Sequence, residues 1–292
     1  MKVLLTGRGG QLGQALMASA PDGVELVATS RAELDLADSA ACRRIVEEQR
    51  PEWVLNAGAY TAVDQAEQEP ALAEAVNAQA PAAFAAALQQ TGGRLLQIST
   101  DFVFNGAQGH PYGPEQPRHP LGVYGASKAR GEQAALQHPQ ARLLRTSWVY
   151  GPVGKNFCCT MLRLHAAKAE AGEPLKVVAD QVGCPTSTLT LAKACWRAIG
   201  IDADPDGPQV LHWSDAGAAS WYDFAVAIGE LAQAQGLLRR AATVEPITTA
   251  DYPTPATRPS YSLLDCTASR QALGLPAVHW RDALAEVLAR SQ

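Results

Sequence analysis

The chain has 292 residues, 47% of them hydrophobic, and its 24 basic and 29 acidic residues give a formal net charge of −5 at pH 7. Lys and Arg are scattered along the chain, so we expect no nucleic-acid partner. No run approaches the roughly 20 apolar residues of a membrane span. The six cysteines show no C-x-x-C spacing and the six histidines no H-x-x-x-H pair, so no zinc site is expected. We predict a cytoplasmic protein with reduced thiols.

The start of the chain has a pattern typical of dinucleotide binding. An apolar run, Lys2–Thr6, predicts a buried strand, and Gln14–Ala20 predicts a helix. The spacing between them is G-x-x-G-x-x-G, formed by Gly7, Gly10 and Gly13. These glycines permit a tight turn and close approach to a pyrophosphate, which the N–H groups of the helix start can bind. An ordinary strand–helix turn is the alternative. The residues expected to contact a dinucleotide here are Gly7, Gly10, Gln11, Leu12 and Gly13.

The end of the second predicted strand, Val24–Thr29, indicates which dinucleotide is preferred. Sites for NAD place an acidic residue there, which binds the ribose 2′-OH. Here Ser30 and Arg31 follow the strand. Because a guanidinium binds phosphate bidentately, we expect Arg31, assisted by Arg8, to favour NADPH through its 2′-phosphate. Use of NADH stays open, as does the alternative that Arg31 is a solvated loop residue.

Alternating strands and helices continue to about residue 150. Glu33–Leu36 is predicted as a short strand, with Asp35 and Leu36 bordering the adenine. The small residues Ala57, Gly58 and Ala59 would let the cofactor lie against the backbone. The other predicted elements are the helices Ser39–Gln49 and about Pro70–Thr91, the polar loop Tyr60–Glu67, and the strands Trp53–Asn56, Arg94–Ser99 and Arg142–Val149.

A tyrosine and a lysine four residues apart form a candidate acid–base pair. Tyr124 and Lys128 follow the Gly- and Pro-rich loop Phe102–Pro120 and would share one side of a helix. A nearby ammonium lowers the pKa of a tyrosine from its free value of about 10. The spacing also occurs by chance. Thr100 and Asp101, however, follow a strand at the carboxyl edge of the sheet, where ligands bind in open α/β folds.

The order of the elements predicts an α/β fold. We expect a doubly wound parallel Rossmann sheet in residues 1–150, to which 187–208 return, and a smaller mixed α/β substrate-binding part in 151–186 and 209–292. Ser220 is the predicted N-cap of a helix, with Asp223 three residues on. The other elements predicted after residue 150 are the helices Asn156–Ala171, Leu189–Ile199 and Trp280–Ala289, the strands Leu175–Ala179 and Val210–Ser214, the surface loop Gly200–Pro208, and a loop with a short strand in Glu245–Leu264.

Together these elements resemble the extended short-chain dehydrogenase/reductase superfamily. Further motifs are similar to those of the dTDP-4-dehydrorhamnose reductase family: NAGAYTAVDQAE at 56–67, STDFVF at 99–104, RTSWVYG at 145–151, DQVGCPT at 180–186, and Arg258-Pro259. The resemblance runs from residue 1 to about residue 286.

The resemblance implies that NADPH or NADH delivers hydride to C4 of dTDP-4-dehydro-β-L-rhamnose, giving dTDP-L-rhamnose. It implies that Tyr124 protonates the C4 oxygen, that Thr100 donates a hydrogen bond to the same oxygen, and that Lys128 binds the nicotinamide ribose and lowers the tyrosine pKa. The implied substrate-binding residues are Asp101, Phe102, Trp148, Asn156, Gln181, Pro185 and Arg258. Trp221 would either stack on the thymine or pack in the core.

The chain departs from the family pattern at several positions. Phe102 stands where the family often has Tyr, and Ser260 and Tyr261 stand where an Asn is frequent. Many members bind Mg²⁺ at a dimer contact through a glutamate, and the candidate position here is Ala15. A Mg²⁺ ion is therefore only weakly supported, and both a monomer and a homodimer stay open.

Two other interpretations stay open. One is a reductase or epimerase of another nucleotide sugar. The other is a non-catalytic NADP-binding relative, similar to the regulatory subunit of methionine adenosyltransferase. Thr100, Tyr124 and Lys128 are all present, which favours an enzyme.

Overall fold

The computed structural model describes residues 1–200 and 207–291. In chain order, the elements up to residue 150 are β1 (Lys2–Thr6), α1 (Gln11–Ala18), β2 (Glu25–Thr29), α2 (Ser39–Gln49), β3 (Trp53–Asn56), α3 (Val63–Ala66), α4 (Pro70–Glu74), a π-helical turn (Ala75–Gln79), α5 (Ala80–Thr91), β4 (Arg94–Thr100), a 3-10 turn (Asp101–Val103), α6 (Val123–Ala135), β5 (Ala141–Thr146) and β6 (Val149–Tyr150).

The elements that follow belong to both parts of the fold. They are α7 (Phe157–Ala171), β7 (Leu175–Val178), β8 (Val182–Gly183), β9 (Thr186–Ser187), α8 (Thr188–Ile199), β10 (Val210–His212), β11 (Ala219–Ser220), α9 (Trp221–Ala234), β12 (Val244–Ile247), a 3-10 turn (Thr249–Asp251), α10 (Thr267–Leu273) and α11 (Trp280–Ala289).

A six-stranded sheet of order β10-β5-β4-β3-β1-β2 forms the centre of the fold, and all its neighbouring strands are parallel. This confirms the predicted doubly wound α/β fold. The connections change direction between β1 and β3, and in such sheets a ligand crevice lies at the carboxyl ends of the strands on either side of that point.

Helices cover both faces of the sheet. In β1, Val3 and Leu5 pack in a cluster with residues of α1 and α8, whereas Leu4 packs on the other face with residues of α2 and α5. A strand buried on both faces has a continuous apolar sequence rather than an alternating one. This is why the run Lys2–Thr6 predicted the strand correctly.

A second apolar cluster lies in the smaller part, where α7, α9 and α11 pack around the parallel pair β7–β12. The predicted capping box of α9 is present: the Asp223 N–H donates to Ser220 Oγ over 3.0 Å, and the Ser220 N–H donates to Asp223 Oδ2 over 2.8 Å. The mixed α/β character expected of this part is thus confirmed.

Several predicted elements were wrong. Glu33–Leu36 is not a strand: Ser30 donates from its N–H and its hydroxyl to Glu33 Oε2, each over 2.7 Å, which closes a turn. Helix α3 lies inside the predicted loop Tyr60–Glu67, and helix α10 was not predicted. The strand predicted to reach Val149 ends at Thr146 because Trp148 adopts a left-handed φ of 46°.

The predicted division of the chain needs one correction at its second boundary. Strand β10 falls in the range assigned to the substrate-binding part, yet it pairs with β5 at the edge of the main sheet. Helix α8 packs against α1, as expected for a segment that returns to the first part. Most of the predicted loop Gly200–Pro208 lies outside the described residues. Across residues 1–200 and 207–291, no helix is apolar over enough length to cross a bilayer.

Helix α6 approaches the π-helical turn at Gly131, and this contact generates a stability prediction. A Cβ at Gly131 would lie 1.9 Å from the Asn77 carbonyl oxygen. Overpacking of this kind costs about 1–3 kcal/mol. We therefore expect Gly131→Ala to lower the free energy of unfolding in urea, although alanine has the higher helix propensity.

Gln133→Ala is the matched control, because Gln133 lies on the same helix and is exposed. Its free energy of unfolding should stay within about 0.5 kcal/mol of the parent. Equal stability of Gly131→Ala and the parent would show that the helix can move away without cost.

Candidate active site

A cavity of about 660 Å³ lies at the carboxyl edge of the sheet. With the exception of Arg8, every residue that the sequence predicted to contact the cofactor lines it, namely Gly7, Gly10, Gln11, Leu12, Gly13, Arg31, Asp35, Leu36, Ala57, Gly58, Ala59, Tyr124 and Lys128. The cavity also has a wall from the second half of the chain, formed by Trp221 and Arg258.

The glycine turn is closely packed against the neighbouring strand end. Gly7 has a φ of 73°, and a Cβ there would lie 2.7 Å from the Cα of Gly58. A Cβ at Gly13 would lie 2.1 Å from the Gly7 carbonyl oxygen. Helix α1 begins at Gln11 with no side-chain cap, so its first N–H groups are left for a ligand. Gly7 and Gly13 are therefore required by geometry.

The two arginines near the cofactor end have different roles. Arg31 is exposed and lines the cavity. Arg8 does not line it, and its guanidinium lies 3.2 Å from a Glu33 carboxylate oxygen. Glu33, the nearest acid after β2, is itself bound to the backbone and hydroxyl of Ser30. The structure thus puts Arg31, and not Arg8, on the wall of the cavity, while Arg8 is paired with Glu33.

The candidate proton donor lies beside a buried hydroxyl and carboxylate. Thr100 Oγ1 donates to Asp101 Oδ1 over 3.1 Å. Burial raises the pKa of Tyr124 to about 12, a hydrogen bond with Thr100 opposes the rise, and the Asp101 charge adds to it. Burial likewise raises the pKa of Asp101 to about 6. The tyrosine pKa is therefore raised and not, as expected, lowered by Lys128.

Lys128 is buried and donates from Nζ to the Ile98 carbonyl oxygen over 2.6 Å. Burial lowers its pKa to about 8, while the carboxylate of Glu132 opposes this effect. Tyr124, Lys128 and Glu132 follow one another at intervals of four residues and so share one side of α6. Glu132 is thus a third, anionic residue on the side of α6 that carries the acid–base pair, and the sequence analysis missed it.

Glu132 fixes α6 to the sheet. Its carboxylate accepts two hydrogen bonds from Arg145, both over 2.8 Å, one from Ser99 Oγ over 2.6 Å, and one from Arg118 over 3.2 Å. Ser99 and Arg145 face each other on β4 and β5. The only sequence signal for this residue was its interval of four from Lys128.

The motif 56–67 and the helix after it hold α6 from the other side. Glu67 Oε1 accepts from the Val123 N–H over 2.8 Å, at the start of the helix. Asn77 Nδ2 donates to Ser127 Oγ over 3.1 Å, and Asn77 Oδ1 accepts from the Tyr60 N–H over 2.9 Å. Tyr124 lies between these attachments, and its backbone is therefore held on both sides.

Four of the predicted substrate-binding residues line the cavity, and three do not. Those that line it are Asp101, Phe102, Trp148 and Arg258. Asn156 caps α7 and donates to Gln11 Oε1 over 2.8 Å, so it supports the glycine turn through Gln11. Gln181 is buried and accepts from Trp221 Nε1 over 3.2 Å. Pro185 is buried as well.

Two stacked indoles form one wall of the cavity. Trp148 and Trp221 lie with ring centroids 3.7 Å apart and planes at 7°. Trp148 has a left-handed backbone, which is strained for a bulky residue. Gly183 leaves room for the indole, because a Cβ there would lie 2.6 Å from it. Trp221 both lines the cavity and packs against the core of the smaller part, so the two alternatives for it are compatible.

The sequence analysis assigned no contact in the site to the remaining lining residues, although several of them lie within its motifs. Most are apolar or small side chains at strand ends and on adjoining helices: Leu34, Tyr60, Thr61, Val63, Leu72, Val76, Ile98, Ser99, Thr146, Ser147, Val149 and Leu191. Among the residues that the structure describes, no group of three or more His, Cys, Asp or Glu side chains is arranged to hold a metal ion. Ala15 packs against the apolar cluster on one face of the sheet.

Comparison with known proteins places the chain in a family. The family model described as the RmlD substrate binding domain matches residues 1–292. The chain is 39% identical over 296 residues to a dTDP-4-dehydrorhamnose reductase of Aggregatibacter actinomycetemcomitans, with 100% of this chain and 99% of that protein covered.

Two solved structures are similar throughout. A dTDP-4-dehydrorhamnose reductase of Clostridium acetobutylicum superposes with a TM-score of 0.90 at 36% identity and 99% coverage of both chains. The reductase of Bacillus anthracis, solved in complex with NADP, has a TM-score of 0.89 at 32% identity, covering 99% of this chain and 98% of that one. The resemblance read from the motifs is confirmed: the chain belongs to the dTDP-4-dehydrorhamnose reductase family of oxidoreductases.

Proposed function

We propose that the chain catalyses the NADPH-dependent reduction of the C4 ketone of dTDP-4-dehydro-β-L-rhamnose to dTDP-L-rhamnose. The observation that carries this proposal is the meeting of Thr100, Tyr124 and Lys128 with the glycine turn in one cavity. The names of the relatives support the substrate, and the bound NADP of the Bacillus anthracis protein supports the cofactor.

The cavity fits a dinucleotide at one end. Gly7 and Gly13 let the turn pack closely on the surrounding backbone, and the uncapped start of α1 follows this turn at the cavity. Arg31 lines the same end and can receive a 2′-phosphate. Lys128 would hold the nicotinamide ribose. NADPH, when bound, supplies the hydride.

Tyr124 is suited to be the proton donor. A phenol with a pKa of about 12 stays protonated at neutral pH. As hydride reaches C4, negative charge builds on the ketone oxygen, and the Tyr124 hydroxyl transfers its proton to that oxygen. Thr100 Oγ1, whose single proton goes to Asp101 Oδ1 in the structure, would turn that proton to the same oxygen and so stabilise the developing charge.

The opposite wall would hold the nucleotide sugar. Asp101 and Phe102 follow β4, next to the reacting groups, and Trp148 presents its indole to the cavity. Arg258 brings a positive charge from the C-terminal segment. In this proposal the main sheet binds the cofactor and the second half of the chain binds the substrate.

The activity test measures NADPH oxidation with dTDP-4-dehydro-L-rhamnose as the substrate, in the parent protein and in the Tyr124→Phe variant. Loss of the proton donor should lower kcat by about 10²- to 10⁴-fold and leave NADPH binding nearly unchanged. Tyr252→Phe is the control, because Tyr252 is 62% exposed and should keep full activity. An unchanged kcat in Tyr124→Phe would remove this residue from proton transfer.

The same assay separates the other interpretations. An epimerase would convert its nucleotide sugar without net consumption of NADPH. A regulatory relative would bind NADPH and oxidise none of it.

The second prediction concerns cofactor choice. Arg31→Ala removes a charge-assisted contact worth about 1.5–3 kcal/mol. The Kd of NADPH should therefore rise by about tenfold to a hundredfold, while that of NADH changes little. Arg44→Ala is the matched control, since Arg44 is an exposed arginine of α2 away from the cavity. If Arg31→Ala weakened the binding of NADPH and NADH equally, Arg31 would not contact the 2′-phosphate.

The third prediction is a pH dependence. Lys128, with a pKa of about 8, carries its positive charge below that pH and loses it above. We expect kcat/KM for NADPH, which reports the free protein, to fall as the pH rises through about 8. Tyr124 contributes no fall in this range because its pKa is about 12. A profile that stays flat up to about pH 10 and falls only in the ordinary lysine range would contradict the lowered pKa of Lys128.

A further inference from the structure

An ion pair beside the cavity joins the C-terminal segment to the first half of the chain. Arg258 Nη2 donates to Asp64 Oδ2 over 2.7 Å, and Nη1 donates to Asp64 Oδ1 over 3.0 Å. Asp64 lies in α3, and the two residues are 194 positions apart. Asp64 Oδ1 also accepts from the Ala256 N–H over 3.1 Å. A single carboxylate thus binds both a side chain and the backbone of the segment.

The other bonds of Arg258 leave one edge of its guanidinium uncommitted. Nη1 also donates to the Ala256 carbonyl oxygen over 3.0 Å and to Thr254 Oγ1. A guanidinium carries five N–H donors in a planar fork. Within the described part of the chain, Nε makes no hydrogen bond, and Nη2 makes only the one to Asp64. The Nε–Nη2 edge is the second bidentate face of an arginine and suits phosphate oxygens.

The charges around the cavity suggest a ligand for that edge. Among the described lining residues, the cations are Arg31, Lys128 and Arg258. Arg31 follows β2 at the cofactor end, and Lys128 lies next to Tyr124 on α6. Arg258 is the cation that the second half of the chain contributes, and a nucleotide sugar brings a diphosphate that needs one.

We propose that Asp64 is a positioning residue that holds Arg258 by its end, so that the Nε–Nη2 edge binds the diphosphate of the nucleotide sugar. The identity of this ligand rests on the proposed function. Two effects of Asp64 oppose each other here. Its negative charge repels a diphosphate, whereas its two hydrogen bonds remove the rotational freedom of a long side chain before the ligand arrives. Positioning and repulsion therefore predict changes of opposite sign when the charge is removed.

The test uses calorimetry to measure how tightly the full chain binds thymidine diphosphate. Asp64→Asn keeps an oxygen that can accept from the Ala256 N–H but loses the ion pair. We expect its Kd for thymidine diphosphate to rise about tenfold, with NADPH affinity unchanged. Tighter or equal binding would overturn the proposal, since repulsion would then outweigh positioning.

A double-mutant cycle separates positioning from a general structural role. Arg258→Lys keeps the charge but lacks the fork, so it should weaken thymidine diphosphate binding by itself. If Asp64 acts through Arg258, adding Asp64→Asn to this variant should have no further effect. A full additional loss would assign Asp64 a structural role instead.

Two further variants complete the set. Glu230→Gln breaks a similar ion pair, in which Arg281 lies 2.8 Å from Glu230 at the surface, and it should leave the Kd unchanged. Asp64→Glu keeps the charge but displaces the carboxylate by one methylene. Binding equal to the parent in Asp64→Glu would overturn positioning even if Asp64→Asn failed to fold.

Kinetics distinguish failure of this inference from failure of the proposed function. In Asp64→Asn, KM for the nucleotide sugar should rise while kcat stays close to the parent value. If the parent binds thymidine diphosphate but oxidises no NADPH with the dehydrorhamnose substrate, the proposed reaction is wrong and the binding series still tests Asp64. If the parent does not bind thymidine diphosphate, the inference is wrong.

Discussion

The buried ion pair between Glu132 and Arg145 is the contact on which the arrangement of the site depends. Their side chains are 0% and 3% exposed. Arg145 also donates to the Pro114 carbonyl oxygen over 2.9 Å and lies 3.2 Å from His212 Nε2. Replacing one partner of such a pair leaves the other as an unpaired buried charge, which lowers the free energy of unfolding by about 3–5 kcal/mol. The helix that carries Tyr124 therefore has one position relative to β4 and β5.

Burial, more than the neighbouring lysine, determines the chemistry of the candidate proton donor. A phenolate in this site would be desolvated and close to the Asp101 carboxylate, so the neutral phenol is favoured. Lys128 donates to a backbone carbonyl oxygen of β4, and burial lowers its pKa, so the charged form is disfavoured. An anionic cofactor would restore that charge by Coulomb attraction. In the proposed reaction, Tyr124 would therefore stay protonated until negative charge develops on the ketone oxygen.

Local patterns in the sequence located β1 to β5 of the main sheet and the glycine turn that lines the cavity. The glycine turn, the apolar strands and the spacing of Tyr124 and Lys128 each depend on residues close together in the chain. The false strand at 33–36 arose because Leu34 and Leu36 are buried through a turn, which apolar alternation does not distinguish from a strand.

The other half of the site depends on contacts between distant residues. Asn156 was expected to bind substrate, but its partner is Gln11, 145 positions earlier. Gln181 does not line the cavity, because it precedes β8, which pairs with the distant β11, and it accepts a hydrogen bond from Trp221 Nε1. The attachments of α6 to Glu67 and Asn77 likewise join segments whose proximity no periodicity in the sequence indicates.

The position of β10 has a consequence for biosynthesis. Strand β5 is fully buried in the finished protein, with Leu143 and Leu144 inaccessible to solvent, and within the described ranges one of its edges pairs with residues 210–212. During translation those residues leave the ribosome after α7, β7 and α8 have already been made. Until then the nascent chain displays an unpaired apolar edge, which is a template for association with other chains. Early engagement of a chaperone with this edge would therefore protect the growing polypeptide until the sheet closes.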